Sequence, residues 1–167
     1  AAAISTVSPT HAKEVLTEEY GEGLHKILQK RKNRIVGILN GLDTNTFNPI
    51  KDKLIKANFD QENFVTQRAI NKKLLQKIFK LPASPDKFLL GFVGRLAQQK
   101  GINLIIGLLP HLLKEYPQVQ LVVLGGGDEN YRTKLMQLQK AFPKQIGLHL
   151  MPNFRMPRKI FAGADAL

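Results

Sequence analysis

From Phe88 onward, short apolar runs alternate with longer stretches whose apolar residues recur at helical spacing, and that alternation leaves few folds open. Phe88-Leu89-Leu90-Gly91-Phe92-Val93 reads as a buried strand, and Ile102, Ile105, Ile106, Leu109, Leu112 and Leu113 then mark a helix to about Tyr116. Val119 to Leu124 reads as the next strand, Tyr131, Leu135, Leu138 and Phe142 as one face of a helix, Ile146 to Leu150 as a third strand, and Arg158 to Ala162 as a short helix. Strand and helix in strict alternation with short connections predict an α/β fold with a doubly wound parallel sheet. Pro110 falls inside the first of these helices, where its missing N–H predicts a kink.

The N-terminal part repeats the theme on a smaller scale. Ile4 to Ser8 reads as a strand meeting a turn at Pro9, Thr10 to Leu16 as a helix, Leu24 to about Lys32 as a short amphipathic helix, and Arg34 to Leu39 as a buried strand closed by the turn Asn40-Gly41-Leu42-Asp43. Between Thr44 and Asn63 the pattern weakens under Asn45, Asn48, Pro49, Asp52 and Asn58, as in a linker or interdomain crossing. Ile70, Leu74, Leu75, Ile78 and Phe79 then form a helix that Pro82 and Pro85 terminate. Both ends of the chain fall inside apparent elements, and Asp165-Ala166-Leu167 opens what should be another strand, so the sequence reads as an internal fragment.

The turn Gly94-Arg95-Leu96-Ala97-Gln98-Gln99-Lys100-Gly101 joins the first strand of the sheet to its helix. In an open parallel sheet such a turn lies at the carboxyl end of the strand, where ligands bind, with the helix aiming its positive end at them. Arg95 offers a planar fork suited to phosphate oxygens and Lys100 a mobile point charge, so the pair can grip two different oxygens of a diphosphate. A solvated basic turn is the plain alternative. The formal charge of +12, from 25 Lys and Arg against 13 Asp and Glu, favours an anionic partner but does not choose among nucleic acid, an acidic membrane surface and a phosphorylated metabolite.

Other chemistries lose ground residue by residue. No cysteine is present, which removes disulfides, thiolate metal sites and a Cys nucleophile. No apolar run reaches the roughly 18 to 20 residues of a membrane span. Gly125-Gly126-Gly127 follows a strand, but the dinucleotide fingerprint needs a third glycine where Asn130 stands. Asp128 also sits where a pyrophosphate would rest, and a carboxylate there repels phosphate by roughly several kcal/mol. Asp128 reads instead as a helix N-cap. His11, His25, His111 and His149 have no metal-like spacing relative to one another, and neither a G-x-S-x-G elbow nor a GxxxxGK[ST] loop occurs.

Several separated segments then form one pattern: Thr6-Val7-Ser8-Pro9-Thr10-His11-Ala12, Gly37-Ile38-Leu39-Asn40-Gly41-Leu42-Asp43, Phe47-Asn48-Pro49, Asn71-Lys72, the Gly94 to Gly101 turn, Leu124-Gly125-x-Gly127-Asp128 and Ala162-Gly163-Ala164-Asp165. Their order and spacing resemble the bacterial glycogen synthases and plant starch synthases, and the resemblance covers nearly the whole chain. It implies the GT-B architecture, two Rossmann-like domains facing a cleft. Residues 1–42 would close the N-terminal domain, 43–84 would form the crossing and a helix packing on the C-terminal domain, and 85–167 would be the first half of the nucleotide-sugar-binding domain.

The resemblance further implies transfer of glucose from ADP-glucose, or UDP-glucose in some members, to the non-reducing end of an α-1,4-glucan with retention of configuration. No metal or other cofactor is implied, nor any nucleic acid or membrane partner, and the oligomeric state is left open. The compartment implied is the cytoplasm of a bacterium or the plastid of a plant or alga. By this mapping Arg95 and Lys100 hold the donor phosphates and act on the leaving group, while Asn40, Gly41, Gly94, Gly127 and Asp128 line the donor site. An Asx turn closing Leu39 to Asp43 is the alternative role for Asn40. Pro152 stands near where related enzymes often carry an aromatic that packs against adenine, so the base preference, ADP against UDP, stays open. The fragment alone is expected to be inert. Two other readings remain: a retaining GT-B glycosyltransferase with a different donor or acceptor, and a basic nucleic-acid-binding module.

Overall fold

The computed structural model describes residues 2–167. They form two compact units, Ala1–Asn45 and Thr46–Leu167.

In the first unit, β1 (Ile4–Thr6) pairs in parallel with β2 (Ile35–Gly37), Ile4 opposite Ile35. The Ser-Pro step that follows β1 starts a helix for two reasons. The Ser8 hydroxyl accepts the His11 N–H at 2.9 Å, and Pro9 takes the first helical position, where its lost donor has no intrahelical role. α1 (Pro9–Glu14) and α2 (His25–Gln29) are short, and Gln29 Nε2 fastens to the Leu16 carbonyl at 2.7 Å. β2 differs from the buried six-residue strand expected over Arg34 to Leu39. It is three residues long, and Val36, Ile38 and Leu39 are 50%, 59% and 71% exposed. Neither α1 nor α2 buries a residue, so within this unit no layer covers those side chains, and an apolar run is buried only where a layer covers it.

The second unit is a three-stranded parallel sheet in the order β3 (Phe88–Val93), β4 (Val119–Leu124), β5 (Ile146–His149). Alternation along β4 sorts its side chains between two cores. Leu121 and Val123 join Leu109 and Leu113 of α4 (Ile102–Glu115) and Leu135 of α5 (Glu129–Ala141). Val122 and Leu124 join Leu75 of α3 (Phe64–Ile78) and Ile160 of α6 (Met156–Gly163). All six residues of β4 are buried, as a central parallel strand covered on both faces requires. Each fully buried Leu or Ile contributes about 1.5–3 kcal/mol. α4 continues to Glu115 with Pro110 inside it.

Ala166 pairs in parallel with Leu90, on the free edge of β3: the Gly91 N–H donates to the Ala166 carbonyl at 2.8 Å. Asp165 reinforces that edge by accepting from the Leu89 N–H and from Lys72 Nζ, both at 2.7 Å. One polar pair sits inside the α3 side of the sheet. Gln76 and Gln120, 1% and 0% exposed, share a hydrogen bond of 2.9 Å. Their remaining amide groups bond to Ser84 N and O, Pro82 O and Lys144 O.

Residues 46–63, read from sequence as part of a linker or interdomain crossing, contain no helix or strand, yet part of their backbone is buried. Asn71, 4% exposed, explains how. Its Oδ1 accepts the N–H groups of Lys56 and Ala57 at 3.1 and 3.0 Å, and its Nδ2 donates to the Ala57 carbonyl at 2.7 Å. Backbone without secondary structure is buried here because one side-chain amide supplies its missing partners.

Candidate functional site

β3, β4 and β5 run parallel, so the segments leaving them share one edge of the sheet. Gly94 extends the ladder, its N–H donating to the Leu124 carbonyl at 3.0 Å. Arg95 follows, exposed. Leu96 then turns wholly inward, 0% exposed, against the core it shares with Ile102 and Leu109. Its N–H donates to Gly126 O at 2.9 Å and its carbonyl accepts from Asp128 N at 3.0 Å. The two turns are therefore bolted together backbone to backbone, and the glycines of 125–127 make the close approach possible. A Cβ on Gly125 would overlap the Gly94 carbonyl, and one on Gly127 would stand 2.5 Å from Leu96 O.

Beyond Leu96, a 3₁₀ turn over Gln98–Lys100 presents Lys100, and Gly101, at φ 70°, ψ 12°, bends the chain into α4. That left-handed conformation suits glycine. α4 has no side-chain cap and no acid in its first turn; the Leu104 and Ile105 N–H groups bond back to the Gly101 carbonyl at 3.0 and 3.2 Å, which leaves those of Ile102 and Asn103 as the orphan donors of the helix start. Arg95 and Lys100 flank this helix end, both exposed, and neither side chain makes a hydrogen bond or ion pair among the described residues. Nineteen of the 25 Lys and Arg residues lie in this unit against eight of the 13 acids, so the surrounding field also attracts anions.

Of the candidate residues, Gly94, Arg95, Lys100, Gly127 and Asp128 come together on this edge. Asp128 is committed to the fold: its carboxylate caps α5 by accepting from Asn130 N at 2.7 Å, while its own N–H serves Leu96. Asn40 and Gly41 lie in the first unit, on the exposed segment after β2. Asn40 makes no side-chain hydrogen bond among the described residues. The Asx turn there belongs to Asp43, whose Oδ1 accepts from Asn45 N at 3.0 Å.

A residue that the sequence reading passed over lies on the same edge of the second unit. Phe154, after β5, is 96% exposed. Asn153 holds its backbone by accepting from both Arg155 N and Met156 N at 2.9 Å. An Asn three residues before a helical run was the available signal.

His11 and His111 face Glu14 and Glu115 at 3.6 and 3.1 Å as single-turn pairs, and no group of three metal-ligating side chains exists among the described residues. No helix among them is long and apolar enough to cross a membrane. A hollow of about 580 Å³ beside α3, away from Arg95 and Lys100, is lined by Arg68, Lys72 and Asp165, whose charged heads are already bonded within the protein.

The family described as Glycosyl transferases group 1 matches residues 75–166, which include the whole three-stranded sheet and the turn with Arg95 and Lys100. The chain belongs to the group 1 glycosyl transferases. A second family description, Starch synthase catalytic domain, matches residues 1–30. The chain is 44% identical over 162 residues to Glycogen synthase 2 of Nitrosococcus oceani, covering 97% of this chain and 32% of that one. It is 42% identical over 162 residues to the glycogen synthase of Caldicellulosiruptor bescii, covering 97% and 34%.

A closely similar fold is seen in the catalytic domain of Starch Synthase IV from Arabidopsis thaliana bound to ADP and acarbose. The TM-score is 0.85 with 32% identity, over 99% of this chain and 34% of that one. Anabaena Alr3699/HepE in complex with UDP matches at TM-score 0.57 and 15% identity, a likeness of fold alone. The chain thus has the GT-B fold of the glycogen and starch synthases and spans about a third of the length of the relatives it matches.

Proposed function

We propose that the chain is the donor-side portion of a retaining glucosyltransferase of glycogen or starch synthesis, one that takes glucose from a nucleoside diphosphate sugar and adds it to an α-1,4-glucan. The observation that carries this reading is the unpaired Arg95 and Lys100 beside the uncapped start of α4, with Leu96 rigidly seated between them. When the glycosidic bond to the diphosphate breaks, negative charge grows on the leaving oxygens. Cations already in place stabilise that charge more than they stabilise the bound donor, and that difference is catalysis. Seating Leu96 in the core before the donor arrives means that little reorganisation accompanies the step.

The ADP in the Arabidopsis relative supports an adenine donor, and Phe154 is the side chain we assign to the base. Pro152 packs toward Gly126, its Cδ 3.5 Å from where a Cβ there would stand, and Phe154 supplies an open aromatic face on the same edge. Asn40 and Gly41, in the first unit, are assigned to the donor as well.

In the full-length enzyme Arg95→Ala and Lys100→Ala should each lower kcat/KM at least ~100-fold, equivalent to roughly 2.7 kcal/mol of transition-state stabilisation. Near-normal turnover in either variant removes the clamp assignment. Titration of this chain with ADP and with an oligonucleotide across salt concentrations separates the remaining alternative. Steeply salt-dependent oligonucleotide binding without ADP saturation would mark a nucleic-acid module.

A further inference from the structure

Asn40 is followed by Gly41, and no other asparagine of the chain precedes a glycine. The step lies on the exposed segment after β2, outside helix and strand. Among the described residues the Asn40 side chain makes no hydrogen bond, and neither does the Gly41 N–H. A Cβ placed on Gly41 would meet nothing within 4 Å, so no neighbour shields the pair. An Asx turn at Asn40 would have occupied its amide, but the turn there belongs to Asp43, whose Oδ1 accepts from Asn45 N at 3.0 Å. Other asparagines are placed differently. Asn48, Asn58, Asn63, Asn71 and Asn153 are held by side-chain hydrogen bonds. Asn33, Asn103 and Asn130 sit inside the Lys32–Arg34 turn, α4 and α5, where helical backbone fixes the next N–H along the axis and out of reach of the side-chain carbonyl.

We propose that Asn40-Gly41 is a site of spontaneous covalent modification, at which the folded chain loses the Asn40 amide without any enzyme. The Gly41 nitrogen attacks the side-chain carbonyl carbon of Asn40. A C–N bond forms, the bond to the side-chain nitrogen breaks, and ammonia leaves with the proton from the Gly41 amide. Water then opens the cyclic imide at either carbonyl, giving aspartate or, with the main chain rerouted through the side chain, isoaspartate. Attack requires the Gly41 nitrogen to swing over that carbonyl. Glycine permits it because it has no Cβ, and exposed backbone outside secondary structure reaches such a geometry at little cost. Either product is negatively charged at neutral pH and only accepts hydrogen bonds where the amide also donated them. On the reading that assigns Asn40 to the donor, this charge faces a diphosphate, so turnover should fall as the amide is lost.

Peptide mapping by mass spectrometry of this chain, aged in mildly alkaline buffer, reads the conversion directly, and methylation by an isoaspartyl methyltransferase measures the rerouted product. Asn40 should convert within days, at least ~10-fold faster than any other asparagine and within ~3-fold of its own rate in the urea-unfolded chain, because the fold does not shield it. Gly41→Val, whose side chain has open space, should slow the loss at least ~10-fold, equal to about 1.4 kcal/mol of activation free energy. An Asn40 that survives ageing in the folded chain but converts in urea overturns the proposal. So does a Gly41→Val chain that converts at the wild-type rate. In the full-length enzyme, kcat/KM is followed beside the conversion. Loss of the amide with activity unchanged upholds the modification and removes Asn40 from the donor site, whereas an amide that persists in both proteins overturns the modification and leaves that assignment standing.

Discussion

The contact between the two turns makes Gly125→Ala the sharpest test of how the clamp is held. A Cβ at that position would overlap the Gly94 carbonyl oxygen and stand 2.9 Å from its carbon. The two turns would have to part by about 1 Å before the overlap is relieved. Three backbone hydrogen bonds span the gap: Gly94 N to Leu124 O, Leu96 N to Gly126 O and Asp128 N to Leu96 O, at 3.0, 2.9 and 3.0 Å. At about 1 kcal/mol for each, their loss amounts to about 3 kcal/mol. In urea, with a slope of about 2 kcal/mol/M, the midpoint should drop by about 1.5 M. Gly126→Ala is the matched control. Its Cβ would meet only Pro152 Cδ, at an ordinary 3.5 Å, and it should stay within about 0.5 kcal/mol of wild type. The displaced Arg95 should also weaken ADP binding in the Gly125 variant and not in the control, since a misplacement of about 1 Å can cost as much as 100-fold. If the two variants unfold at the same urea concentration, the turns are not locked together as described.

Phe154→Ala should weaken ADP binding about 10-fold, the loss of one base–aromatic stack of about 1–3 kcal/mol, while leaving pyrophosphate affinity unchanged. Equal losses for both ligands would count against a role at the base. Asn71→Ala strips the partners from Lys56 N, Ala57 N and Ala57 O and should destabilise the chain by about 3 kcal/mol in chemical denaturation. A cost under about 1 kcal/mol would mean that the 46–63 segment has other support.

How much of this was legible depends on which physical signal carried each part. β4 falls on Val119–Leu124 as read, because a Val- and Leu-rich run interrupted only by Gln120 and bounded by Pro117 and Gly125 leaves little freedom. Asp128 was legible as a cap for the same reason: a short acidic side chain ahead of a periodic run has a local partner. The packing of residues 46–63 was not legible. Asn and Asp look like loop formers whether their hydrogen bonds stay local or, as with Asn71 and Asp52, reach another segment. Asn71 and Lys72 entered as part of a family pattern, and the fold gives them structural work, Asn71 on the Ala57 backbone and Lys72 on Asp165. The position of Arg95 and Lys100 in the turn between β3 and α4 was readable from the spacing. Its rigidity was not, because that rests on Leu96 meeting Gly126 and Asp128, residues about thirty positions away.

The buried pair of Gln76 and Gln120 acts as a checksum on assembly. Every amide group of the two is matched, but only while α3, the Pro82–Ser84 corner and Lys144 are all in place. If β4 slipped by one residue, Gln120 would turn into the opposite, apolar core, where its unmatched amide would cost about 1–3 kcal/mol. Leucine at both positions could leave the native state no less stable, but it would remove the penalty on the wrong register. What the pair adds is discrimination between alignments that hydrophobic burial alone would score almost equally.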